Sequence, residues 1–349
     1  MKHFILILIL FLFGCSEKYP WSDLSLDEAL ALKSDKIIFL DFYSNNWGGC
    51  VRLEAETLNS DDVLDFTKKH LIPIKLDAWY DTAGQELFKK YNGYAIPLLI
   101  FLNGEGQEID RVVGYRNPDD FLEILNNVLN NDNTFLTLFD RYNQGDRSSD
   151  LIDKLSIKAE VRNDESLSSE LYNMILNPTK DFNLLSIERA EFYFAKLSAK
   201  EGNLDKINSF ISKYPNSENL RSAYSSIIKF YKSEKDTLRE VIAHKQLIEK
   251  FSDNPSALNS YAWRMSELGK ELSDALEKID IALEVTGKDD SSYPNLLDTK
   301  AEVLWKIGFF DEAINVINEA ISIDSNSEYY KEQKIKFENS KNKVNFEKI

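Results

Sequence analysis

Three prolines, Pro215, Pro255 and Pro294, recur 40 and 39 residues apart, each at the head of a segment with helical periodicity: "YPNSENLRSAYSSIIKFY", "NPSALNSYAWRMSELG" and "YPNLLDTKAEVLWKIG". A period of this length marks a two-helix unit that cannot bury its apolar stripe alone and must stack on its neighbours. The second helices read "REVIAHKQLIEKF", "SDALEKIDIALEV" and "DEAINVINEAISI". Helical texture dominates from about residue 134 to the end, so an all-α repeat domain is expected over 134–349.

Ahead of that domain the period changes. "KIIFLDFYS" is a short apolar run rich in β-formers, as in a strand buried on both faces of a parallel sheet. "DDVLDFTKKH" reads as a helix, "LIPIKLDAW" as a strand and "AGQELFKKYN" as a helix. "AIPLLIFLN" and "EIDRVVGY" form a hairpin across "NGEG", where Asn103-Gly104 signals a tight turn. In "NPDDFLEILNNVL", Asn117 caps a helix, Pro118 takes its first position, and Phe121, Leu122, Leu125, Val128 and Leu129 share one face. The order is β-α-β-α-β-β-α. The polar stretch "NNDNT" then predicts a boundary near 131–134 between separately folding pieces.

Charge and residue usage exclude several functions. With 58 Asp and Glu against 42 Lys and Arg, the formal net charge of −16 offers nothing to neutralise phosphates, so no nucleic-acid partner is expected. Beyond the N-terminal run there are two histidines, His70 and His244, far apart and expected at the surface or hydrogen-bonded. Neither a metal cluster nor a Ser-His-Asp arrangement has support. "GEGQEI" lacks the third glycine of a dinucleotide loop, and no cofactor is expected.

The N-terminus reads as an address. Lys2 and His3 precede an apolar run from Phe4 to Phe13 that is too short to span ~30 Å of hydrocarbon and fits a secretory signal. The "LFGC" that ends it resembles the lipobox of bacterial lipoproteins, with residues 1–15 as signal peptide and lipobox and Cys15 as the acylated mature N-terminus. That resemblance implies a lipid-anchored protein on the periplasmic face of the cell envelope, held to the membrane through Cys15, and Ser16 after it favours the outer membrane. With Cys15 consumed, Cys50 is the only thiol of the mature chain, and no intramolecular disulfide can form.

Residues 23–130 resemble a thioredoxin-fold domain, of the secreted subfamily whose motif is Asp-Phe, a few small residues, Trp-Cys-Gly-Pro-Cys, two polar residues, a hydrophobic residue and Glu. Asp41 and Phe42 match the strand end, Cys50 the second cysteine, and Leu53 and Glu54 the following helix. Trp47 stands at the first cysteine, Gly48 follows it, and Gly49 stands at the proline. "AIP" matches the loop that carries the family's cis proline, which would be Pro97. The family's nucleophile is the first cysteine, activated at a helix N-terminus. Its replacement by Trp47 rules out dithiol exchange on stoichiometry. Cys50 is catalytic only in a monothiol reading, with Asp41 as an assisting carboxylate.

The C-terminal units resemble the tetratricopeptide repeat, with Ala262, Gly269, Ala275 and Ala282, then Ala301, Gly308, Ala313 and Ala320, at the small positions where its helices approach closely. Such repeats present a concave groove lined by first helices, and the family pattern places Asn259, Trp263, Asp298, Glu302 and Trp305 in it. The groove implies a protein or peptide partner. The chain is therefore expected to be an α/β thioredoxin-like domain followed by an all-α helical repeat. It would act as a lipid-anchored adaptor or chaperone-like module that has lost dithiol catalysis. The alternative is a monothiol redox protein that uses Cys50 for disulfide exchange or thiol sensing.

Overall fold

The computed structural model describes residues 18–45, 47–177 and 181–346. The signal segment and Cys15 lie outside them. In chain order α1 (Leu26–Ala31), β1 (Ile37–Tyr43), α2 (Gly48–Arg52), a π-helical turn (Leu53–Leu58), α3 (Asp61–His70), β2 (Leu71–Asp77), α4 (Thr82–Lys90), β3 (Leu98–Leu102), β4 (Glu108–Val113) and α5 (Pro118–Asn130) build an α/β body. The sheet order is β2-β1-β3-β4. It is mixed: β1 runs parallel to β2 but antiparallel to β3, and β3 pairs antiparallel with β4.

Alternation along β1 divides the core between the two sheet faces. Phe39 stacks on Phe101 at 5.3 Å and meets Phe121 at 6.1 Å, on the face covered by the π-helical turn, α3 and α5. Ile38, Leu40 and Phe42 face Leu26, Ala29 and Phe88 on the other. The α5 cap forms as read, with Asn117 Oδ1 accepting the Asp120 N–H at 2.9 Å, but Leu129 is turned to solvent. The hairpin turn is longer than a two-residue one. Asn103 Oδ1 accepts the N–H groups of Glu105 and Gln107, and the left-handed residue is Gly106, at φ 80°, not Gly104. α1 opens on a capping box, Ser25 with Glu28.

Then follow α6 (Phe135–Asn143), α7 (Ser149–Val161), α8 (Glu165–Ile175), α9 (Leu184–Lys200), α10 (Asp205–Lys213), α11 (Leu220–Ser233), α12 (Thr237–Lys250), α13 (Pro255–Leu268), α14 (Leu272–Val285), α15 (Tyr293–Ile307), α16 (Phe310–Ile323) and α17 (Glu328–Phe346). The chain divides within α9 into two compact units, ending at Ala190 and beginning at Glu191. The first compact unit therefore runs past the polar stretch at 131–134. Ion pairs tie α7 to β4 within it: buried Asp110 pairs with Lys158 of α7, and Glu108, held by Arg111 on its own strand, also meets Arg162 at the C-cap of α7. A buried carboxylate stripped of its cation is strongly destabilising.

In the second unit α11 packs with α12, α13 with α14 and α15 with α16, as three successive helix pairs. Ala262, Ala275, Ala282, Ala301, Ala313 and Ala320 are fully buried where the helices cross, and Gly269 and Gly308 end α13 and α15 at φ 62° and 98°, as C-cap positions that favour glycine. Pro255 and Pro294 sit in the first turns of α13 and α15, whereas Pro215 follows the C-cap of α10 and closes that helix instead of opening α11. Among the described residues no helix is long and apolar enough to cross a membrane.

Candidate functional site

β1 delivers Asp41 to the sheet interior and ends at the loop that opens α2. Trp47 is the N-cap residue of α2; its carbonyl accepts the Cys50 N–H at 2.9 Å, while its indole stands 56% exposed. Gly49 lies between that indole and Pro97: a methyl group there would meet Trp47 Nε1 at 3.4 Å and Pro97 Cδ at 3.5 Å. The Ile96–Pro97 bond is cis. Trp47, Gly49 and Pro97 are thus gathered at one point, with Gly48 open to solvent on the first turn. Cys50 points inward and packs in the core face with Ile38 and Phe42.

Electrostatics oppose a reactive thiol here. Burial pushes the Cys50 pKa up to about 11, with the Asp41 and Glu54 charges adding to the rise, against a backbone hydrogen bond at Ser44 and the Lys75 charge. A thiolate is the nucleophile, and this thiol stays protonated at neutral pH.

Asp41 is itself unusual. It is 3% exposed, and its Oδ1 has no hydrogen-bond partner. Lys75 is its register partner across β1 and β2, yet the ammonium donates to Glu54 Oε2 at 2.6 Å and lies 4.2 Å from the Tyr43 ring centre. Burial raises the Asp41 pKa to about 7; the Lys75 charge opposes that rise and Glu54 reinforces it. A carboxyl with such a pKa can hold or release a proton near neutral pH.

The groove residues separate into two groups. Asn259 and Trp263 lie half-buried on α13; Trp263 Nε1 donates to Glu267 at 3.2 Å, and Asn259 Oδ1 is buried without a partner. On α15, Asp298, Glu302 and Trp305 are all engaged by α17. Tyr329 donates to Asp298 Oδ2 at 3.1 Å, Lys336 pairs with Glu302, and Trp305 Nε1 donates to Ser340 Oγ at 2.9 Å. The sequence reading of these positions did not anticipate their cover, because the helix that provides it carries no repeat signature. His244, expected at the surface or satisfied, is buried with Nδ1 unpartnered, and burial lowers its pKa to about 4. Its neighbours on α12 and α13, Glu240 and Arg264, pair with each other at 2.6 Å. Among the described residues no group of three or more His, Cys, Asp or Glu side chains is placed to hold a metal ion.

Fold and loop together define a thioredoxin-like domain followed by tetratricopeptide-like helix pairs. Residues 24–129 match the family model of a thioredoxin-like domain. Among solved structures the chain is similar to an oxidoreductase named DsbH, at 22% identity over 33% of this chain and 87% of that one, with a TM-score of 0.30. It is similar to a thioredoxin from Thermus thermophilus at 25% identity, covering 30% and 82%, with a TM-score of 0.28. A tetratricopeptide repeat protein from Parabacteroides merdae shares 15% identity over 57% and 75%, with a TM-score of 0.43. Among curated proteins none is significantly similar to the chain.

Proposed function

We propose that this chain is a lipid-anchored cell-envelope adaptor, tethered through Cys15, whose thioredoxin-like domain has lost dithiol exchange and whose helical repeats bind a protein or peptide partner. The observation that carries the reading is the exchange of roles in the site loop. An exposed indole, Trp47, stands at the helix N-terminus, and the one thiol behind it is buried with its pKa pushed up to about 11. The Trp47–Gly49–Pro97 corner remains a surface on which an extended segment can lie. The monothiol reading rests on the buried, partnerless Asp41 oxygen near Cys50.

Alkylation of Cys50 separates the two. At pH 8 a thiol of pKa about 11 is some hundredfold or more poorer in thiolate than an unfolded-chain thiol near 8.5, so the native chain should react at least about 100-fold more slowly than the denatured one. Insulin reduction should stay at background. Native alkylation as fast as denatured, with dithiothreitol-dependent turnover lost in Cys50→Ser, would replace the adaptor by the monothiol protein. The binding half is tested by crosslinking in intact envelopes: a partner should be captured by the full chain and lost on Trp263→Ala.

A further inference from the structure

α15 carries two buried carboxylates one helical turn apart, Asp298 and Glu302, 6% and 7% exposed. Their surroundings differ in one respect. Glu302 has a cation: the Lys336 ammonium pairs with it and lies 4.4 Å from the centre of the Trp305 ring, so charge and aromatic face hold the same group. Asp298 has none. Its Oδ2 accepts from the Tyr329 hydroxyl at 3.1 Å, long for a bond between oxygens, and its Oδ1 is buried with no partner at all. Gln333, which bonds the same Tyr329 hydroxyl, leaves its own Oε1 buried and unpartnered. Tyr329, 46% exposed, thus bonds two side chains that each keep an acceptor oxygen buried and unpartnered.

We infer that the groove at Asp298 is a subsite for a lysine or arginine side chain of the partner, with Tyr329 as the group it displaces. The inference rests on the adaptor reading and supplies the chemistry of its ligand. A bound ammonium or guanidinium replaces one neutral hydroxyl with charge-assisted bonds to both Asp298 oxygens, which is the stronger pairing. It reproduces at Asp298 what Lys336 already does at Glu302. Two buried carboxylates facing one internal cation leave the pair one positive charge short, and the acidic chain as a whole, at −16, favours approach of a basic segment. The groups that face Asp298 are Glu302 on its own helix and Tyr329, Tyr330 and Lys336 on α17. Burial foremost raises the Asp298 pKa to about 6, so the site is charged at neutral pH and empties of charge below it.

The test uses the purified full chain in a non-ionic detergent and a fluorescein-labelled hexalysine peptide, read by fluorescence anisotropy at physiological ionic strength, with hexaglutamate as control. The wild type should bind hexalysine and not hexaglutamate, and more weakly as the pH drops through about 6. Asp298→Asn keeps the shape and should weaken binding about tenfold, the loss of one charge-assisted bond, and flatten the pH dependence. Asp253→Asn, the same charge change at an exposed turn, should leave affinity unchanged. Tyr329→Phe removes the competing hydroxyl and should tighten binding. Absence of hexalysine binding, an equal loss in both Asp→Asn variants, or weaker binding in Tyr329→Phe would overturn the subsite. A partner crosslinked in the envelope that is indifferent to Asp298→Asn overturns the subsite and leaves the adaptor standing. Hexalysine binding that depends on Asp298 without any captured partner does the reverse.

Discussion

Replacing Asp41 by Asn should stabilise the thioredoxin-like domain, and more so as the pH rises. The carboxyl has one oxygen without a partner, and its pKa is about 7 in place of 3.8. The folded state therefore keeps a proton that the unfolded chain has already released. For an acid raised in this way the stability is fully present below the unfolded pKa and is lost as the pH climbs from about 4 through about 7. At ~1.4 kcal/mol per pH unit the loss is about 1.7 kcal/mol at pH 5 and about 4 kcal/mol at pH 8. Asn does not titrate, so its advantage over the wild type should grow by about 2.5 kcal/mol between those two values. Pulsed hydrogen exchange across a urea series, read on peptides from β1 and β3, follows this domain separately from the repeats. An advantage that stays constant with pH would refute the reasoning. One that shrinks would show that Lys75, not burial, governs the carboxyl.

Three further outcomes are expected. Trp47→Cys combined with Gly49→Pro places a thiol at the helix N-terminus beside Pro97 and should produce measurable insulin reduction where the wild type has none; no activity would mean that Asp41 and Cys50 are not disposed for exchange. In Gly84→Ala the new methyl would stand 2.1 Å from the Asp77 carbonyl oxygen, a backbone atom that cannot turn aside, so α4 must move off β2 at a cost of about 1–3 kcal/mol or more, seen as a lower urea midpoint. Cys15→Ala should abolish lipid labelling and release the protein from the membrane fraction, since acyl chains contribute ~0.8 kcal/mol for each buried methylene; unchanged retention would point to an anchor through a partner.

Local chemistry decided much that a reader of the sequence can recover. The Asn117-Pro118 start of α5, the apolar run of β1 and the small residues of the last two helix pairs each express a preference carried within a few residues, and the structure honours all three. The succession of a strand bearing Asp41 and a helix bearing Cys50 was legible for the same reason. Periodicity states which face of an element is apolar; it does not state what covers it. That choice joined residues distant in the chain. Lys158 meets Asp110 from 48 residues away and draws α7 onto the sheet, and Tyr329 meets Asp298 from 31 away and lays α17 over the Asp298 side of α15. The same holds for Asp41 and His244. Their identities are plain in the sequence, but their desolvation, and the atoms left without partners, arise only when sheet and helices close around them. Burial energies depend on neighbours that the local sequence does not contain.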